Sequence, residues 1–369
     1  VAVKAFDGFD HYNALADLQS RSNFLQWQQK IFGSGATMTI SFITGLTGYG
    51  RALSLLTTNT GGPTSNLTCI RGVFGDRNQE AYIGVRVKGI GTGLWMIVGD
   101  SIGGSQQFAI HLDEANYAIE VYNGNIINSN GTLLYATANN VWPGDVGFFF
   151  EAHIKIDTGG AGRVDFSIDS VNVGGANITT QLTANAWFDV IDFMASPLSG
   201  FGKTILLDDF YYCDTVAGPG LTPANSMLGD SRVACVFATG DDAVQFTPLA
   251  NANWQEISEV AMDSDTSYNY DATAGHQDTF DFQAIENLIS TIYCLQLTYA
   301  ARKDDAGTRT MAGVAKIGGV SYVYSAPDSV PASATYTYFS DPFVLSPATG
   351  LNWTLAEING AAFGYKLVT

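Results

Sequence analysis

Basic residues are scarce in this chain. Lys and Arg number 17 against 35 Asp and Glu, leaving a formal net charge of −18, and no run of five basic residues occurs. A protein that grips duplex nucleic acid concentrates cations on one face to displace counterions from phosphates, so nucleic acid is excluded as a partner. Cysteine is almost as sparse. Cys69, Cys213, Cys235 and Cys294 form no CxxC pair and have no histidine at ligand spacing, which argues against a zinc site. The expectation is four buried free thiols. No run of about 18 apolar residues is present, so no helical membrane span is expected. Residues 1–6 show no signal-peptide core, and the chain reads as soluble. Internal repeats, heptad seams and low-complexity tracts are also missing, which excludes a long fibre shaft.

What is abundant points to β structure. Apolar residues make up 46% of 369 positions, enough for two cores, while charged residues reach only 14% and glycine numbers 40. That balance suits short strands joined by tight turns. Strand candidates run over 38–42, 82–87, 94–98, 108–112 and 117–122. The clearest alternation puts Phe148, Phe150, Ala152, Ile154 and Ile156 on one face, with Phe149, Glu151, His153, Lys155 and Asp157 on a wetter one. Gly159–Gly162 then turns the chain into Val164, Phe166 and Ile168, which should pair with it, and a strand over 205–213 follows. Upstream, a helical stretch over 14–22 and an aromatic cluster of Phe24, Trp27 and Phe32 are expected.

Residues 215–230 carry two prolines and several glycines without periodicity and read as a linker. The organisation expected is all-β in two domains, a sandwich over 1–214 and a smaller β-sandwich over 231–369. Strands of the second are placed at 233–237, 279–282, 292–301, 310–317, 321–324, 336–343 and 362–367. Thr354 and Glu357 have capping-box spacing for one short helix, with Trp353 and Ile358 placed to staple it.

Chemical motifs are few. Gly99-Asp100-Ser101-Ile102-Gly103 matches the G-x-S-x-G pattern, but a strand rather than a helix follows it, so it reads as a hairpin turn. Glu80, Glu114, Glu120 and Glu151 show no tight acid pairing for glycoside hydrolysis, Asp113-Glu114 falls at a turn, and His11, His111, His153 and His276 are scattered. No catalytic residue is expected. Asp263 and Asp265 are the candidate Ca²⁺ ligands, as an oxygen-rich loop. Trp95, Trp142 and Trp187 are the candidate glycan platform, although a sandwich core also needs such rings.

One charged turn, Ala301-Arg302-Lys303-Asp304-Asp305-Ala306-Gly307-Thr308-Arg309, lies between two alternating runs and reads as a hairpin. With Leu228-Gly229-Asp230-Ser231-Arg232-Val233 and Asn352-Trp353-Thr354-Leu355-Ala356-Glu357-Ile358-Asn359, it resembles a family of structural proteins of tailed-bacteriophage particles. The resemblance implies a concanavalin-A-like or laminin-G-like jelly roll followed by a smaller β-sandwich. It implies a non-enzymatic virion component at the particle surface, tail or tail fibre associated, whose lectin-like half contacts host surface glycan. Partners would be other virion proteins and copies of this chain, with a trimer expected by analogy. Capsid decoration is the alternative, and a secreted glycan-active enzyme or carbohydrate-binding module is a second one.

Overall fold

A computed structural model describes residues 3–12, 18–19, 25–32, 36–47, 50–59, 67–90, 93–101, 105–123, 131–195, 203–216, 224–260, 262–285, 291–332 and 335–369. Most of the helical stretch expected over 14–22, Phe24 of the aromatic cluster, Ile102 and Gly103 of the glycine-serine motif and 217–223 of the expected linker lie outside those residues.

Among the described residues, fifteen strands precede residue 215. They are β1 (Val3–Asp7), β2 (Leu25–Phe32), β3 (Ala36–Thr44), β4 (Arg51–Asn59), β5 (Leu67–Asn78), β6 (Glu80–Ile90), β7 (Leu94–Asp100), β8 (Ser105–Asp113), β9 (Ala118–Asn123), β10 (Thr132–Ala136), β11 (Phe148–Lys155), β12 (Gly162–Ile168), β13 (Val171–Ile178), β14 (Phe188–Ala195) and β15 (Lys203–Asp214). Antiparallel pairing gathers them into two facing sheets. One runs β13-β12-β11-β6-β15-β4-β3, with β1 also on β15, and the other runs β10-β9-β8-β7-β14-β5-β2. This is a jelly-roll sandwich, and the chain is nearly all β as its composition implied.

Alternation decides which side chains fill the space between the sheets. Phe148, Phe150, Ala152, Ile154, Val164 and Phe166 from one sheet meet Trp27, Ile70, Met96, Phe108, Ile110, Val121 and Phe193 from the other in a single buried cluster. The β11–β12 pairing expected from Gly159–Gly162 is present, with Ala152 opposite Phe166.

The second face of β11 is not wet. Phe149 and Glu151 are buried, because Leu228–Val233 lies across this sheet as a strap. Glu151 accepts from Tyr211 Oη at 2.5 Å and from Gly229 N at 2.8 Å, and Tyr211 Oη accepts from Leu228 N at 3.1 Å. Arg86 donates to Asp209 at 2.9 Å and also reaches Asp230, with its guanidinium 5.4 Å from the Phe149 ring centre. Val233 N donates to Asp209 at 2.9 Å. The Val233 amide engaged this way is lost to a sheet ladder, and residues 233–237 do not form the strand expected there.

Ten further strands follow: β16 (Ala238–Ala243), β17 (Thr247–Pro248), β18 (Asn269–Tyr270), β19 (Gln277–Phe282), β20 (Leu295–Ala301), β21 (Thr310–Ile317), β22 (Val320–Val323), β23 (Asp328–Ser329), β24 (Thr337–Phe343) and β25 (Ala362–Leu367). A six-stranded sheet runs β16-β19-β25-β21-β22 with β23 on β21, while β20 pairs with β24 in a separate two-stranded sheet. The two runs flanking residues 302–309 therefore belong to different sheets, and the hairpin expected there is corrected to a crossing loop. Two of its charges are used locally, Arg309 reaching Asp305 at 2.8 Å and Lys303 donating to Gly307 O. The helix α1 (Leu355–Asn359) forms where expected, its N-cap Thr354 Oγ1 accepting from Glu357 N at 3.2 Å. Trp353 and Ile358 pack in one cluster with Phe363.

All four cysteines are free thiols. Cys69 and Cys213 are buried, but Cys294 is only half-buried and Cys235 is exposed, a correction to the expectation for those two.

Candidate functional site

The outward face of the seven-stranded sheet carries a cluster of titratable and aromatic side chains. Its pairing sets them in rows across the strands. In one row Met194 of β14 stands opposite Trp95 of β7, Trp95 opposite His111 of β8, and His111 opposite Glu120 of β9. In the next, Gln28 stands opposite Arg71, Arg71 opposite Asp192, Asp192 opposite Ile97, and Ile97 opposite Ala109, with Ala109 facing Tyr122. Because period-2 alternation sends every second residue outward, each row is a direct consequence of register.

His111 is the centre of the first row. Its ring stacks on Trp95 with centroids 4.1 Å apart and an interplanar angle of 11°. Its Nδ1 lies 3.0 Å from Glu120 Oε2, the same oxygen that accepts from Tyr122 Oη at 2.8 Å. The turn after β8 supplies Glu114, whose Oε2 stands 3.7 Å from His111 Nε2, beyond hydrogen-bonding reach. His111 is 4% exposed and Trp95 5%, yet His111 Nε2 and Trp95 Nε1 have no hydrogen-bond partner. An unsatisfied buried polar group costs about 1–3 kcal/mol, so two of them on stacked rings mark a place where a polar ligand can be received.

The electrostatics follow from these contacts. Burial works against a charged His111, but Glu114 and Glu120 outweigh it and hold the imidazole above its ordinary value. The hydrogen bond from His111 keeps Glu120 below the usual carboxylate range. Burial, reinforced by Glu120, pushes Tyr122 well up, so its phenol keeps its proton. In the second row Arg71 donates to both oxygens of Asp192, at 2.6 and 2.7 Å.

Asp113 closes the turn, accepting from Ala115 N at 3.1 Å, Asn116 N at 3.2 Å and Asn116 Nδ2 at 2.7 Å. Among the described residues, His111, Asp113 and Glu114 form the group whose potential ligand atoms all lie within 4.8 Å of one another.

The residues singled out in the sequence lie in different places. Trp95 is in the site, buried under its stack with His111. Trp142 belongs to the main core, its indole donating to Ala118 O at 3.2 Å. Trp187 is half-buried on the approach to β14, with the Arg77 guanidinium 4.6 Å from its ring centre. Asp263 binds Ser267 through its backbone N at 3.1 Å and its hydroxyl at 3.0 Å. Asp265 takes Arg302 at 2.8 Å and Tyr336 Oη at 3.0 Å, which hold its carboxyl below the usual range. Ser101 sits in the β7–β8 turn, its hydroxyl held by Asp189 at 2.5 Å. A cleft of about 2720 Å³ is lined by Asp10, Asp208, Glu259 and Tyr338 and contains none of the His111 group.

His111, Glu114, Glu120 and Tyr122 were present in the sequence as scattered residues. The signal that unites them is hairpin register: once Asp113 and Ala118 close the turn, counting outward places His111 against Glu120.

No family model and no curated protein matches the chain. Solved structures similar to it include a cellulose induced protein, Cip1, at 14% identity and a TM-score of 0.41, covering 62% of this chain and 100% of that one. An endo-β-1,4-glucuronan lyase from the fungus Trichoderma reesei is 12% identical with a TM-score of 0.37, over 50% of this chain and 89% of the other. A carbohydrate esterase from the Shiga toxin-encoding bacteriophage phi24B is 16% identical with a TM-score of 0.29, over 50% of this chain and 88% of the other. Two of these three are enzymes. That finding overturns the expectation of a chain with no enzymatic role, an expectation built on the lack of linear acid motifs.

Proposed function

We propose that this chain binds and processes carbohydrate on the outward face of its seven-stranded sheet. The observation that carries the reading is the pairing of His111 and Tyr122 on one oxygen of Glu120, next to two buried ring nitrogens that have no hydrogen-bond partner. Every sugar hydroxyl both donates and accepts, so its recognition needs ring N–H or phenol donors interleaved with carboxylate acceptors. Trp95, His111, Tyr122, Glu114 and Glu120 supply that mixture on adjacent strands. Tyr122, kept protonated beside Glu120, is a hydrogen-bond donor within the same set, which supports binding of a hydroxylated ligand.

The test is a glycan array on the wild-type chain, followed by a reducing-end assay on each glycan retained. Glu120→Gln and Tyr122→Phe are expected to lose about tenfold or more of binding or turnover. Equal behaviour of both variants and the wild type would remove the site from the reading.

The biological setting is part of the same proposal: a phage particle, with other virion proteins and further copies of this chain as partners and host surface glycan as the ligand. It is supported by the resemblance of residues 228–233, 301–309 and 352–359. Mass spectrometry of purified particles tests it, and absence of the chain from them would leave a secreted glycan-active protein.

A further inference from the structure

We infer that His111, Asp113 and Glu114 form a binding site for one divalent transition-metal ion of the Zn²⁺ or Mn²⁺ kind. The inference goes beyond the carbohydrate reading, and its test needs no sugar.

Local structure builds the ligand set. His111 and Asp113 lie two apart on β8 and so share its outward face, and Glu114 is the first residue of the following turn. Their potential ligand atoms fall within 4.8 Å of one another, and His111 Nε2 stands 3.7 Å from Glu114 Oε2. Two ligands about 2.1 Å from a tetrahedral zinc are separated by roughly 3.4 Å, so only a small closure is required. His111 Nε2 is the independent sign. It belongs to a side chain 4% exposed, it lacks a hydrogen-bond partner, and it faces the carboxylate.

Two further features match what a metal-binding histidine needs. Its other nitrogen is fixed by a carboxylate, Glu120, at 3.0 Å, the arrangement that sets ring orientation and tautomer in metal sites. Gly93 keeps the pair free of a side chain, because a Cβ there would lie 2.1 Å from Leu112 O, 2.5 Å from Glu114 Oε2 and 3.1 Å from His111 Nε2. Asp113 uses three lone-pair positions on its turn and retains one of about four for a cation. One imidazole with two carboxylates selects Zn²⁺ or Mn²⁺ over Ca²⁺ and Mg²⁺, which prefer all-oxygen shells.

The experiment is calorimetric titration of tag-free, chelator-treated protein with Zn²⁺, Mn²⁺, Ca²⁺ and Mg²⁺. One equivalent of Zn²⁺ or Mn²⁺ per chain is expected, with Glu114→Gln and Asp113→Asn each weakening it about tenfold or more. Cys235→Ser, which removes the exposed thiol, should leave it unchanged. Should either carboxylate variant prove misfolded by circular dichroism, the histidine resonances of the wild type decide: Zn²⁺ must shift one imidazole and leave the others. No saturable binding, binding untouched by both carboxylate variants, or histidine resonances that do not respond would overturn the site. Metal binding without any glycan ligand would sink the carbohydrate reading alone, and glycan binding by a chain that takes up no metal would sink this one alone.

Discussion

Asp208 and Asp209 stand side by side where β15 bulges against β6, and Asp209 adopts a left-handed backbone with φ 51°. Burial, with Asp209 beside it, pushes Asp208 up to about 7, and burial pushes Asp10 up to about 6. Such groups hold protons in the folded chain that the unfolded chain has already released. Stability therefore falls as pH rises from about 4 to about 7. The melting temperature is expected to be higher at about pH 5.5 than at about pH 8, and Asp208→Asn should flatten that dependence. A melting temperature that climbs with pH across this window would reverse the sign and refute the assignment. Asp192 has an ionic partner, Arg71. Its carboxylate is buried and meets Arg71 at two points, so Asp192→Asn leaves the guanidinium short of its counter-charge and should cost about 3 kcal/mol in a denaturant titration. At this scale the sequence disclosed which residues were acidic but not which acids were neighbours. Asp263 and Asp265 looked like a metal loop because they are close in sequence, whereas His111 and Glu120 meet only through a strand pairing.

Elements were legible where a local rule governs them. The alternation in β11 and β12, the glycine turn between them and the cap at Thr354 are all short-range patterns, and each forms where expected. Thr354→Ala should remove about 1 kcal/mol by taking the acceptor from Glu357 N, readable as a shift in the unfolding midpoint. Elements set by distant partners were missed or misjudged. β5, β13 and β14 lack a clean alternating signature, and the charged loop at 302–309 has good turn residues but flanking strands that pair elsewhere. The β8–β9 hairpin, which carries the candidate site, pairs over five positions and is bordered on both sides by further strands. Amide hydrogen exchange should accordingly be slow at Ile110, Leu112 and Val121 and fast in β10, which has a single neighbour and mostly half-exposed or exposed side chains. Fast exchange throughout β8 would show that the site is held on a frayed element.

Over the whole molecule, the acid excess is distributed and the core is large, but one sheet face is finished by chain that follows it in sequence. Leu228–Val233 covers Phe149, Glu151 and Tyr211, and Arg86 finds one of its two carboxylates on that strap. A chain ending at residue 214 would uncover an apolar patch and a carboxylate seated for burial, and it is expected to aggregate. One ending at residue 236 retains the strap and should remain monodisperse in light scattering. Equal behaviour of the two truncations would assign the strap no part in the fold. The strap also has a consequence for how relatives of this chain would diverge. Its links to Glu151, Tyr211 and Asp209 are made by the amides of Gly229, Leu228 and Val233, and a main-chain amide is indifferent to the side chain it carries. Among homologues the receiving residues in the sheet should therefore stay fixed while the covering segment drifts more freely, Gly229 excepted because its φ of 85° disfavours any other residue, and Asp230 because its carboxylate meets Arg86.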